Sequence, residues 1–563
     1  MAHVDNCATG DGATAPLLAS SAAKEGGGKP RRNMYAFACA TLASMTTILM
    51  GYNLALMSGA QLFIREDLGL SDAQIEVLAG SINVFMLTSI LSAGWAADLL
   101  GRRGTLVLAN VFLMAGALAM SLGGSFSTLM AARCVTSVGA GFSIVVTSVY
   151  NAEISPPSMR GFLSSFLDMF ISLGLLLSYV SNYAFAGLPL HVGWRVMYAA
   201  GVLPPVLLAL GVLAMPESPR WLAMRGRHDD ARAVLVRTSD TVAEADVRLE
   251  EIEQAVKAAA AQASSDDGAG AGAVWTELLV RPSASVRRIL VCVVGVHFFQ
   301  QASGIDAIVL YSPLVFRKAG MSSTTAVLGA TVAVGVVKMC FVLVAALLSD
   351  RLGRRPLLLA GSAGAAASMA SLGVTLCCVG APSAASAAAS VVCVLAFMAS
   401  FSVGFAQAST YSAEILPLRL RAQGAGLGMA VNRLTCALVS MTFISLADAI
   451  TMPGCFFLYA GVAAAACAFV YVRVPETRGR SLEDMDALFA KELAKQAMAH
   501  EAAAPLLPPA PAMPNAPRRN RFAIVCATLA SMTTILMGYS TYAMNQSSRY
   551  SSSWSTLPFM TFV

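Results

Sequence analysis

The chain alternates between long apolar runs and short polar, often basic, connections. Apolar runs of about 18 or more residues read as bilayer-spanning helices. The pattern predicts six spans near 34–56, 75–97, 104–122, 127–150, 161–185 and 194–214. Six more are predicted near 287–311, 324–348, 355–379, 386–411, 424–446 and 452–472. Between the two sets, from about Pro216 to Arg288, the chain is polar, with Val247, Leu249, Ile252 and Val256 at helical spacing among charges. That spacing predicts a few short amphipathic helices under the membrane domain, with a Gly/Ala/Ser/Asp break at 261–273.

The polar connections repeat. Asp98-Leu99-Leu100-Gly101-Arg102-Arg103-Gly104 returns as Asp350-Arg351-Leu352-Gly353-Arg354-Arg355-Pro356. Tyr150 to Pro156, ending at Arg160, is echoed by Tyr411 to Pro417, ending at Arg421. Pro216-Glu217-Ser218-Pro219-Arg220 and Pro475-Glu476-Thr477-Arg478-Gly479 close each copy. Three pairs at nearly one offset mean one plan used twice. Two parallel six-helix halves are the arrangement of major facilitator transporters, which hold substrate near the midplane between halves. The predicted fold is therefore an all-α membrane protein with the major facilitator fold. Its twelve transmembrane helices form two six-helix halves joined by a cytoplasmic helical linker.

The expected divisions are a disordered cytoplasmic tail (1–33), the N-terminal half (34–215), the linker (216–286), the C-terminal half (287–473) and a cytoplasmic tail with a Pro/Ala-rich linker (474–520). The last stretch, 521–563, is different in kind. Cys526 to Ser540 repeats Cys39 to Asn53 with a change only at the last position. Near-identity over such a run is recent duplication, and the segment is expected to be a fusion or a gene-model artefact. If it inserted as a thirteenth helix, Asn545-Gln546-Ser547 would become a glycosylation acceptor.

Composition agrees with a membrane protein and excludes several other classes. The chain is 56% hydrophobic and 12% charged, with mean hydropathy +0.66, whereas a soluble domain is about a quarter charged. The arginines of the repeated loops fall on alternate connections. Positive residues stay in the cytoplasm, which places the amino terminus, those loops and the linker inside; the expected location is the plasma membrane. The formal charge of +6 thus needs no nucleic-acid partner, and no nucleic-acid motif is present. The 12 cysteines are scattered without a CxxC pair and read as small core residues. No metal-ligand cluster, nucleophile motif or nucleotide loop appears, so neither an enzyme nor a cofactor is expected; His297 alone reads as a packed helix residue.

The motifs resemble the sugar porters of the major facilitator superfamily, and most closely the plant polyol and monosaccharide transporters. The matching pieces are Asp98 to Arg103, Tyr150 to Arg160, Pro216 to Leu222, His297 to Asp306, Asp350 to Arg355, Leu420 to Gly424, Val431-Asn432-Arg433, Pro475 to Gly479 and Ser481-Leu482-Glu483. Val180 to Phe185 and His297 to Asp306 resemble the polyol branch in particular.

Candidate roles follow from chemistry and from that resemblance. A polyol offers hydroxyls and no charge, so its contacts should be neutral amides and hydroxyls. Gln300 and Gln301 in the seventh span are amides that lipid would not tolerate outside a cavity. By resemblance, Asn432 matches a sugar-contacting amide, Asp306 stands where many relatives carry Asn, and Asp168 where they carry Gln or Glu. Lys338 in the eighth span needs a partner, for which Asp306 is the obvious one. At the cytoplasmic ends, Arg102, Arg103, Arg160, Arg354, Arg355 and Arg421 can pair with Glu153, Glu217, Glu414 and Glu476, beside Asp98 and Asp350 of the loops. Such pairs would hold an inner gate shut in the outward-facing state and break as it opens inward.

Two departures from the family pattern matter. Proton-coupled relatives carry Asp in a first-span Gly-Tyr-Asp motif paired with the arginine matched by Arg133; here the motif is Gly51-Tyr52-Asn53. An amide does not titrate near neutral pH, and without a proton the membrane potential, worth about 2.3 kcal/mol per charge per 100 mV, drives no accumulation. The tenth span lacks the family's Gly-Pro-x-x-Trp run and reads Gly404 to Tyr411, with Ser409 at the expected Trp and no proline to kink the helix. The leading expectation is a transporter of polyols and monosaccharides working by alternating access and facilitated diffusion. The alternatives are a proton-coupled symporter using Asp306 or Asp168, and a non-transporting sugar sensor or decayed paralogue.

Overall fold

A computed structural model of the chain describes residues 33–156, 166–264, 282–378, 384–416 and 420–477, together with 163 and 278. The terminal repeat at 526–540 and Arg160 lie outside the described residues, as do the side chains of Asp350 and Arg421. Among the described residues all regular structure is helical.

Helix α1, Met34–Leu68, starts where the Asn33 side chain accepts the N–H groups of Tyr35 and Ala36, and ends at Gly69 with φ 61°. It runs twelve residues past the predicted boundary at 56 because its Gln61 and Phe63 are buried by the rest of the protein. Helix α2, Asp72–Leu122, has 51 residues. At 1.5 Å per residue a straight helix of that size would be about 77 Å long, far more than a hydrocarbon core of about 30 Å. The chain turns back at Gly101, whose φ of 85° and ψ of 166° are not helical. The two spans predicted at 75–97 and 104–122 are thus the arms of one hairpin. A Cβ at Gly101 would stand 2.3 Å from Glu217 Oε2, so glycine serves both the turn and the close approach.

Helices α3 (Phe126–Ile154), α4 (Phe166–Ala184), α5 (Leu190–Ala200) and α6 (Leu203–Leu213) complete the first half. The linker holds α7 (Pro219–Met224), α8 (His228–Thr238) and α9 (Val242–Ser264). It is anchored to the first half: Arg248 donates to the carbonyls of Glu153 and Ser155, Trp221 to that of Asp98, and Arg225 to those of Asp98 and Leu99. These acceptors are carbonyls at helix ends, which have no intrahelical partner.

The second half is built of α10 (Ala284–Ala302), α11 (Ile305–Lys318), α12 (Thr324–Leu352), α13 (Arg354–Cys378), α14 (Ala384–Gly404), α15 (Ala408–Ile415), α16 (Arg421–Ile450) and α17 (Met452–Arg473). The seventh span is broken at Ser303-Gly304, where Gly304 has φ 88°, and continues to Lys318, beyond its predicted end at 311. The tenth is broken as well, by a 3-10 turn at Phe405–Gln407. Loss of the family proline was expected to remove that break. Instead Gly404 packs so closely on Gly361 that a Cβ at Gly361 would lie 2.4 Å from its Cα, and the helix changes course there without proline.

Among the described residues eleven continuous helical stretches are long and apolar enough to cross a bilayer. The longest is the hairpin α2, which holds two of the predicted spans, so the described residues are consistent with the twelve predicted crossings. Exposed Leu91, Trp95, Leu122 and Leu347 lie on these helices as lipid-compatible surface. The repeated loops gather at one end, the motif end; the turns after α1, α4 and α11 lie at the far end.

Candidate transport site

The break in the seventh span ends α10 with Gln300 and Gln301 beside α16. Gln301 donates to Asn432 Oδ1 at 3.1 Å, and Asn432 donates to Gln300 Oε1 at 2.8 Å. Gln300 also donates to the carbonyl of Phe405, at 2.9 Å, which belongs to the broken tenth span. Three amides and two helix breaks therefore meet. Asn432 and Gln301 are buried, and Gln301 Oε1 has no partner in the structure. Amides offer donors and acceptors together, the complement of a hydroxyl-rich ligand.

Charges surround the cluster. Arg433 donates from Nε and Nη2 to Asn432 Oδ1, at 3.1 and 2.6 Å. Buried Asp306, in the first turn of α11, accepts from Cys436 Sγ. Lys338 on α12 lies within electrostatic range of Asp306, Asp168 and Arg433. The expected Lys338–Asp306 ion pair is not formed: among the described residues no carboxylate stands at ion-pair distance from Lys338, because Asp306 is turned to Cys436 on α16. Asp168, in the first turn of α4, brings a carboxylate from the opposite half into the same field. Ser409 is exposed on α15 and makes no hydrogen bond to the amides. Phe405, whose carbonyl meets Gln300, has its own ring fully buried, with the centroid 5.2 Å from that of Phe401.

Across the first half, Asn53 donates to the carbonyl of Leu49 at 2.9 Å. Arg133, 1% exposed, reaches the main-chain carbonyl of Asn53 from Nη1 at 3.3 Å, while its Nε and Nη2 are buried without a partner. No carboxylate pairs with Arg133 among the described residues.

At the motif end, Arg102 pairs with Glu153 at 3.0 Å and with Asp98 at 3.0 Å. Glu217 accepts the main-chain N–H groups of Arg102 and Arg103, and Arg103 Nη1 donates to the carbonyl of Met215. The second half repeats the plan, with Arg354–Glu414 at 2.8 Å and Glu476 accepting the N–H groups of Arg354 and Arg355. Even the hydroxyls correspond, Ser218 donating to Glu153 and Thr477 to Glu414. These pairs were expected to form a gate. Among the described residues the pairs seen lie within each half, Glu153 and Glu414 taking guanidinium groups and Glu217 and Glu476 the N–H groups of the turns.

The hydrogen bonds joining the halves among the described residues all lie toward the far end. Gln61 donates to the carbonyl of Leu310 at 2.7 Å, Tyr179 to that of Val309 at 2.7 Å, and buried Glu76 accepts from Ile444 and Ser445. The molecule is closed at that end. Sequence reasoning assigned no role to Glu76, Arg433 or Phe405. The two charges carried a usable signal, since each is an ionisable residue within a predicted span.

This architecture is that of a major facilitator carrier, and comparison with known proteins agrees. The family described as "Sugar (and other) transporter" matches residues 39–489, and the chain belongs to that family. Polyol transporter 5 of Arabidopsis thaliana is 49% identical over 470 residues, covering 82% of this chain and 87% of that protein. Glucose transporter GlcP of Staphylococcus epidermidis is 32% identical, covering 79% and 95%. Among solved structures, the proton:xylose symporter XylE bound to 6-bromo-6-deoxy-D-glucose is similar with a TM-score of 0.67 at 25% identity, covering 81% of this chain and 99% of that one. The protein is thus an integral membrane transporter of the sugar porter class, close to plant polyol transporters, and not an enzyme.

Proposed function

We propose that the chain carries linear polyols and monosaccharides across the plasma membrane by alternating access, with the motif end in the cytoplasm. The observation that carries this reading is the convergence of Gln300, Gln301 and Asn432 at two helix breaks, with the halves hydrogen-bonded to each other at the far end. The similarity to Polyol transporter 5 and Glucose transporter GlcP supports the substrate class. Transport is facilitated diffusion in this reading, because Arg133 faces the main chain of Asn53 and no titrating carboxylate. Proton coupling is the second reading. It is favoured by Asp168 and Asp306, which lie in the field of Lys338 and Arg433 and could take the proton that Asn53 cannot.

Uptake of labelled sorbitol and glucose by transporter-deficient yeast, with and without a protonophore, separates the two. Uptake that equilibrates and ignores the protonophore supports facilitated diffusion. Accumulation abolished by the protonophore overturns it and moves the proton to Asp168 or Asp306. A protein that reaches the surface and moves neither compound overturns transport of this substrate class.

A further inference from the structure

The far-end closure contains a contact that the sugar-binding chemistry does not require. From α16 the N–H of Ile444 donates to Glu76 Oε1, one turn along from the Ser440 carbonyl, which accepts the hydroxyl of Tyr311 at 2.7 Å. Ser445 gives its N–H to the same oxygen at 3.0 Å and its hydroxyl to Glu76 Oε2. Three donors of one half thus converge on one carboxyl group of the other, which is 2% exposed.

The surroundings supply no counter-charge. The titratable groups facing Glu76 are Asp448 on α16, Tyr311 on α11 and Tyr459 on α17. On its own helix, Asp72 is already paired with Arg65. Among the described residues no cation stands at ion-pair distance. One turn along α2, Gly80 allows the approach, since a Cβ there would lie 2.1 Å from Met441 Cγ.

We propose that Glu76 is the positioning residue of the far-end gate: from the N-terminal half it accepts two main-chain N–H groups and one hydroxyl of α16 while the gate is closed. These hydrogen bonds run between the halves, so they are made only while the far end is closed. Removing the carboxyl group therefore penalises the closed state alone and moves the population toward the state open at the far end. Tyr311 of α11 donates to the Ser440 carbonyl of the same stretch, so that α11 and α2 meet α16 about one turn apart. The proposal rests on the alternating-access reading and on the far end facing outward.

The test uses the full chain in intact cells, with exposed Cys377 and Cys378 replaced by serine. A reporter, Ala307→Cys, sits on α11 at a position 0% exposed in the closed gate. A membrane-impermeant maleimide is applied outside, and labelling of the same chain without the reporter is subtracted. Glu76→Ala should raise the labelling rate about fivefold or more, the lower end of a coupling of this kind. Ser445→Ala, which removes the hydroxyl and keeps both N–H groups, should raise it less. Unchanged labelling in Glu76→Ala at normal surface abundance overturns the proposal. If Glu76→Ala fails to reach the surface, Glu76→Gln and Ser445→Ala decide, and no rise in either overturns it. Labelling needs no transport, so it is independent of the substrate. Orientation is checked by Ser322→Cys at the exposed far end: labelling only after permeabilisation would overturn the orientation and leave the contact with α16 to be judged from the inner side.

Discussion

In the N-terminal half, Arg102 pairs with Glu153 and Glu217 accepts the N–H groups of the turn; in the C-terminal half, Arg354, Glu414 and Glu476 repeat the arrangement group for group. At the midplane the halves part ways. The first half presents unbroken α1 and α4, while the second breaks its seventh and tenth spans and places all three amides there. The loops are alike because each must close a hairpin of the same shape. In the proposed reading the midplanes differ because a small ligand needs groups that can approach it and release it, and the broken helices of the second half supply them.

The largest expected effect tests the likeness. Arg102→Ala leaves Glu153, 10% exposed, without its cation, and breaking such a buried pair costs about 3–5 kcal/mol. Surface abundance and melting temperature in detergent should both fall. Arg354→Ala should cost less, because Glu414 is 27% exposed; equal losses would mean that burial is not what separates the two pairs. Next, Gln301→Ala and Asn432→Ala each strand a hydrogen-bond partner, worth about 1–3 kcal/mol. Half-saturation for uptake should rise roughly tenfold per 1.4 kcal/mol. Asn182→Ala in the first half, whose amide donates to the Leu56 carbonyl, should leave it nearly unchanged. If Asn182→Ala raised it as much, the assignment of binding to the second half would fail.

Gly304→Ala bears on the broken helices. A left-handed backbone costs a non-glycine residue about 1–2 kcal/mol, and its Cβ would meet the Tyr459 ring at 2.7 Å. Slower turnover at normal abundance is expected, and an unaffected rate would show that the break need not hold this geometry. The smallest change in structure is Asn53→Asp, which sets a carboxylate beside Arg133. Uptake should become sensitive to a protonophore and increase as the outside is acidified, since protonation would release the new pair. Indifference to both would place any coupling outside the first span.

Much of this was legible in the sequence. Apolar periodicity marked each crossing, and the paired Asp98 and Asp350 loops exposed the duplication, because both follow from local composition. The extents of α1 and α11 were not legible, since tertiary burial sets them. Gln300, Gln301 and Asn432 stand out as amides in apolar runs, and the structure brings them together. Ser409 was sought by register with a family motif, but the 3-10 turn at Phe405–Gln407 changes the direction of the following side chains. The pairing of Glu217 with main-chain N–H groups rather than guanidinium groups depends on the turn at Gly101, which a charge count does not reveal. Glu76 stands out as a carboxylate in a predicted span, but its partners, two main-chain N–H groups and one serine hydroxyl of α16, carry no charge that would pair with it in the sequence.

The linker's attachment has a practical side. Arg248, Trp221 and Arg225 fasten α7 and α9 to carbonyls of the first half. A dye on α9 is therefore a surveyor's post planted in one half. Paired with a second dye on the turn at Gly353, it would read the full excursion of the other half as a single changing distance, in real time and without a ligand that reports on itself.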